Sequence, residues 1–134
     1  MSFSVNAEGY RCWEVCIEGP NDTPYANGTF FFSIVFPDSY PYESPRVSFS
    51  TLIYHPNIFR PGEIDIDILG RKYSPTLKIR DLIKGIKSLL INPNHDLPFN
   101  DDLMDQFQTD RDRFDEIARN WTQSSQCDSY FNFL

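Results

Sequence analysis

Ile53-Tyr54-His55-Pro56-Asn57-Ile58-Phe59-Arg60-Pro61-Gly62-Glu63-Ile64-Asp65-Ile66-Asp67-Ile68-Leu69 is the stretch on which the reading of this chain turns. From Tyr54 to Tyr73 neither strand nor helix periodicity persists, so the sequence predicts a long irregular loop. Compact domains seldom carry one of this length unless it serves a function. Glu63, Asp65 and Asp67 alternate with isoleucines, which puts three carboxylates on one side of an extended segment. Oxygen ligands so arranged suit a hard divalent cation. A solvated acidic edge accounts for them more simply, and no metal or other cofactor is expected.

Towards the N-terminus the pattern is that of strands. Residues 10–18 place Trp13, Val15 and Ile17 on one face, with Glu14 and Cys16 on the other. Gly19-Pro20-Asn21-Asp22 and Ala26-Asn27-Gly28 are turn signals. Thr29 to Phe36 is almost wholly apolar and is therefore expected to be a strand central in its sheet. Pro37, Pro41 and Pro45 then forbid regular structure, because each removes a donor and fixes φ. Arg46 to Thr51 alternates Val47 and Phe49 against Ser48 and Ser50, a half-buried strand. Short connections make the three an antiparallel meander.

Towards the C-terminus the period changes to 3.6. In Lys78 to Leu90, apolar residues at 79, 82, 83, 86, 89 and 90 form a buried stripe. Gly85 weakens that helix by roughly 1 kcal/mol relative to Ala, and Asn92-Pro93-Asn94 ends it. Leu103, Met104 and Phe107 suggest a short helix. Phe114, Ile117, Ala118 and Trp121 mark another over Thr109 to Thr122, with Thr109 and Asp112 resembling a capping box. Strands, a loop and then helices predict an α+β architecture in one domain spanning 1–134.

Composition narrows the functions. The 134 residues hold 12 Lys and Arg against 19 Asp and Glu, a formal net charge of −7 that repels a phosphate backbone, so nucleic-acid binding is not expected. The sequence lacks a run of about 18 apolar residues and a basic segment followed by an apolar one, so no membrane association or secretion is expected. Cys12, Cys16 and Cys127 make an odd count, which suits reduced thiols of the cytoplasm or nucleus. Cys12 and Cys16 lack a second Cys/His pair to complete a zinc site.

Several segments, in fixed order, resemble the ubiquitin-conjugating (E2) family. They are Gly19-Pro20-Asn21-Asp22-Thr23-Pro24-Tyr25, Phe36-Pro37 with Tyr40-Pro41 and Ser44-Pro45, and Ile53-Tyr54-His55-Pro56-Asn57-Ile58. Asp67-Ile68-Leu69, Tyr73-Ser74-Pro75, Asn92-Pro93-Asn94 and Ile117-Ala118-Arg119-Asn120-Trp121-Thr122-Gln123 continue the series. The resemblance runs from about residue 2 to about residue 127. It implies the E2 (UBC-like) fold, an antiparallel meander packed against C-terminal helices. The chain has no residues for the family's first helix, so that helix is expected to be missing.

In the family, the nucleophilic cysteine lies eight residues beyond the Asn of His-Pro-Asn. That frame here reads Ile64-Asp65-Ile66, with Asp65 in the nucleophile's place. Taking ubiquitin from an E1 requires a thiolate to attack a thioester. A carboxylate is a far poorer nucleophile, and its product would be an anhydride, well uphill. Leu97 falls where many E2s carry an acid that helps deprotonate the incoming lysine, and an apolar side chain cannot move a proton. Lys84 replaces an apolar contact to donor ubiquitin. By resemblance, Asn57 would supply an oxyanion contact in an active enzyme. Without acyl transfer, Asn57 and His55 are expected to brace the loop.

The resemblance thus implies a catalytically inactive E2 variant, a pseudoenzyme with a vestigial site at Asp65, Asn57, His55 and Leu97. It is expected to act in protein ubiquitination by non-covalent binding to ubiquitin or a ubiquitin-like protein, an active E2 or a RING-type E3. Tyr42, Ser74, Pro75 and Thr76 correspond to the loops with which E2s grip RING ligases. Arg11, Glu14 and Ser33 are assigned to the outer sheet face, where ubiquitin can bind. Tyr130-Phe131-Asn132-Phe133-Leu134 is expected to pack over apolar surface. The rival reading is an active E2 using an unidentified nucleophile.

Overall fold

A computed structural model describes residues 2–5, 11–59, 62–64, 66, 69–70 and 72–125. Six strands form one antiparallel sheet in the order β1-β2-β3-β4-β6-β5. The strands are β1 (Ser2–Val5), β2 (Arg11–Glu18), β3 (Thr29–Phe36), β4 (Arg46–Phe49), β5 (Ile58–Phe59) and β6 (Glu63–Ile64). Three helices follow, α1 (Ile79–Ile91), α2 (Asp101–Thr109) and α3 (Arg111–Ser125). The architecture is α+β, and the described residues include no helix ahead of the sheet.

The predicted meander is the centre of this sheet. Val15 and Ile17 of β2, Phe30, Phe32 and Ile34 of β3 and Val47 and Phe49 of β4 share its inner face. Leu82, Ile86, Leu89 and Leu90 of α1 join them in one core, and Phe32 stacks on Phe49 with ring centroids 5.1 Å apart. The β2–β3 connection depends on particular residues. The Gly19 N–H donates to Gly28 O at 2.8 Å, and a Cβ on Gly19 would lie 1.7 Å from Tyr25 O. Asp22 and Asn27 adopt positive φ, which short polar side chains tolerate best after glycine. Tyr25 is buried and donates its hydroxyl to Tyr54 O at 2.6 Å, fastening the turn to the loop beyond β4.

Four details differ from the sequence reading. First, β1 pairs with β2, Phe3 opposite Trp13, and was not foreseen. Second, the 54–73 segment is not wholly irregular. It contains the β5–β6 hairpin, with Ile58 opposite Ile64, and joins the sheet through Ser48 and Glu63. Gly62 makes that turn possible: its φ is +116° and a Cβ there would lie 2.0 Å from Phe49 O. Third, Ser50 is buried although alternation put it outside. Both the Ser50 and Thr51 N–H groups donate to Phe31 O, at 2.8 and 3.4 Å. Two residues opposite one form a bulge, which shifts the alternation by one position. Fourth, Thr109 does not start the last helix. Its hydroxyl donates to Asp105 O at 2.8 Å, while Asp110 Oδ1 accepts from the Arg113 N–H at 3.4 Å and caps α3. Asn100 caps α2, accepting from the Leu103 N–H at 3.2 Å.

Candidate functional site

The His-Pro-Asn turn is buried between the sheet and the segment after α1. His55 is fully buried. Its Nε2 lies 2.7 Å from Leu89 O, and its Nδ1 lies 3.0 Å from the Asn57 N–H. Nδ1 must accept, so the proton sits on Nε2 and is donated to the end of α1. Burial lowers the imidazole pKa to about 4, only partly offset by the Leu89 carbonyl. This neutral histidine has both nitrogens occupied and offers no free base.

Asn57 is equally committed. Its Nδ2 donates to Asn94 O at 2.9 Å and to Pro98 O at 3.0 Å, while its Oδ1 accepts from the Asn94 N–H at 2.8 Å. Both amide protons are used, and the side chain ties the turn to the 94–98 segment. Leu97, within that segment, is buried in the core cluster. The structure thus brings His55, Asn57 and Leu97 into one braced junction. Ile64 and Ile66 are buried on either side of position 65. Asp65 and Asp67 lie outside the described residues, as do Cys127 and Tyr130–Leu134.

Cys16 is exposed and Cys12 buried. Both stand on β2, three strand positions from β6 in the sheet order, or about 14 Å at the usual strand spacing.

The two loops assigned to ligase contact do come together. Tyr73 donates its hydroxyl to Pro41 O at 2.5 Å, joining the proline-rich loop to the segment before α1. Tyr42 beside it is 84% exposed, the most open large apolar side chain among the described residues. Ser74 and Thr76 link their hydroxyls at 2.9 Å, and Ser74, Pro75 and Thr76 are all exposed. The outer-face assignment needs correction. Ser33 donates to Glu14 Oε2 at 2.9 Å, so that pair shares a face as expected. Arg11 does not share it. It lies opposite Phe36, in step with Trp13, and lines an inner-face groove of about 430 Å³ with Asp38, Tyr40 and Ile79. Counting from Glu14 settles this, because side chains an odd number of positions apart point to opposite faces.

Sequence reasoning picked out Lys84 but missed the row it belongs to. Arg80, Lys84 and Lys87 are all exposed on α1, and their spacing of four and three residues was there to be read.

A six-stranded antiparallel sheet with a braced His-Pro-Asn turn and three C-terminal helices defines an E2-type domain. The family model for ubiquitin-conjugating enzymes matches residues 1–122. The E2 domain of a Toxoplasma gondii ubiquitin conjugating enzyme is 36% identical, with a TM-score of 0.77 over 84% of this chain and 79% of that one. The chain belongs to the ubiquitin-conjugating enzyme family.

Proposed function

We propose that this chain is a non-catalytic E2-like protein that acts in ubiquitin conjugation by non-covalent binding. The observation that carries the reading is Asp65, standing in the sequence where the family frame places its nucleophilic cysteine. Attack by a carboxylate on a thioester would exchange it for an anhydride, against a steep free-energy gradient. The surroundings support the same view. His55 is neutral with both nitrogens bonded, Asn57 has no amide proton left for an oxyanion, and Leu97 sits in the core. The exposed thiol of Cys16 lies across the sheet from the loop.

Binding is then the remaining means of action. Tyr42 with Ser74, Pro75 and Thr76 offers an exposed aromatic beside prolines, a surface suited to a ligase contact. Ubiquitin, a relative of it or an active E2 are the other partners the family suggests, in the cytoplasm or nucleus.

The test is a charging reaction with E1, ubiquitin and ATP, resolved on gels with and without reducing agent. No thiol-sensitive adduct is expected on the wild-type chain, and none should depend on Cys16. An adduct that disappears with thiol, or a covalent ubiquitin conjugate mapped to position 65, would overturn the reading in favour of an active enzyme.

A further inference from the structure

The basic residues at the start of α1 oppose the helix dipole, although its one acid, Asp81, stands favourably in the first turn. A helix N-terminus carries partial positive charge and is stabilised by acids in its first turn, and cations belong at the other end. Here Lys78 occupies the N-cap without a side-chain cap bond, Arg80 is the second helical residue, and the last turn holds no basic residue. Lys78 and Arg80 are therefore placed against the helix dipole rather than with it.

Arg80, Lys84, Lys87 and Ile91 recur at i, i+4, i+7 and i+11, which confines them to a stripe about 60° wide and about 16 Å long. All four are exposed, and Ile91, at 51%, is one of the few large apolar side chains among the described residues left so open. Asp81, the one acid on α1, lies about 100° round the helix from Arg80 and about 60° from Lys84, at the edge of the stripe. Among the described residues none of the three cations forms an ion pair, whereas Arg113 on α3 pairs with Glu116 at 3.3 Å. This stripe stands on a protein of net charge −7.

From these observations we infer that the Arg80–Lys84–Lys87–Ile91 stripe is a docking surface for an acidic segment of a partner protein, with carboxylates facing the cations and an apolar side chain on Ile91. The whole-molecule charge selects among anions. A membrane or a nucleic acid presents an extended negative surface that meets the rest of this acidic protein as well as the stripe. A short acidic segment interacts within about a Debye length, roughly 8 Å at physiological salt, and meets mainly the three cations. The inference does not depend on whether the chain is catalytic.

The probe is a synthetic helical peptide with Glu at i, i+4 and i+7 and Leu at i+11, titrated into the isotope-labelled protein and followed by amide shifts. Shifts should concentrate on 80–91, saturate, and weaken about tenfold between low and high salt. The triple variant R80E/K84E/K87E should lose at least about tenfold in affinity, and a peptide with Lys in place of Glu should recover it. Ile91→Ala should weaken binding without altering its salt dependence. Arg80→Glu should leave Tm unchanged or raised, since an acid suits that end of the helix. Equal shifts at Arg111 and Arg119 of α3, unchanged binding by the triple variant, a fall in Tm for Arg80→Glu, or tighter binding to phosphatidylserine vesicles than to the peptide would each overturn the proposal.

Discussion

Asn57 and Asn94 exchange hydrogen bonds in both directions: the Asn57 amide donates to the Asn94 carbonyl at 2.9 Å, and the Asn94 N–H returns to Asn57 Oδ1 at 2.8 Å. With the further bond to Pro98 O at 3.0 Å, three contacts to one buried side chain close the junction. Replacing Asn57 by Ala leaves those backbone groups unsatisfied, at about 1–3 kcal/mol each when water cannot reach them. Asn57→Ala should destabilise the protein by about 2–4 kcal/mol, read as a lower urea midpoint with an unchanged slope. A loss within experimental error would show that the junction is held by other means.

His55 makes stability depend on pH. Its folded-state pKa is lowered from 6.5 to about 4. Above about pH 6.5 the ring is neutral in both states and the native fold has its full stability. As the pH falls below that, the unfolded chain takes up a proton that the folded chain refuses, and the loss grows until about pH 4. Linkage over that window is on the order of 3 kcal/mol. Urea denaturation from pH 8 to 4 should show this decline. His55→Gln, although less stable at neutral pH, should show a shallower one. Parallel curves for the two proteins would remove His55 as the cause.

Much of the molecule could be read before the structure. β2, β3 and α1 were placed within one residue at each end, because β2 and α1 keep a consistent period and β3 is an apolar run of eight residues bounded by turn signals. β5 and β6 have two residues each, too few to show a period, and they exist only through pairing with each other and with β4. The bulge at Ser50 and Thr51 inverts a local alternation for a reason located on the neighbouring strand. The site was legible as a list but not as a network. His-Pro-Asn is visible in the sequence, whereas the partners Leu89, Asn94 and Pro98 are more than thirty residues away and are identified only by the fold.

Gly62 should not accept a side chain. Its φ of +116° suits glycine alone, and a Cβ would meet Phe49 O at 2.0 Å. Gly62→Ala should cost upwards of about 2 kcal/mol and disturb the β4–β6 ladder. Loss of hydrogen-exchange protection at the Phe49 N–H, which donates to Gly62 O at 2.8 Å, is the direct reading.

Tyr73 and Tyr42 should separate fold from docking. Tyr73→Phe removes the hydroxyl bonded to Pro41 O and should lower stability by about 1 kcal/mol. Tyr42 is exposed, so Tyr42→Ala should change stability by less than about 0.5 kcal/mol. If the loops serve ligase binding, Tyr42→Ala should weaken capture of a RING domain that the wild-type chain retains. Equal retention would move the contact elsewhere.

The chain's two tryptophans report on different parts of the molecule. Trp13 packs edge-on against Phe36, ring centroids 5.9 Å apart, beside the groove that Arg11 and Asp38 line. Trp121 packs against Tyr54 at 5.3 Å, where α3 meets the loop beyond β4. Each indole is therefore an intrinsic optical probe of its own neighbourhood. With one tryptophan replaced by phenylalanine at a time, emission and quenching can tell whether α3 detaches before the sheet dissolves, with no dye attached.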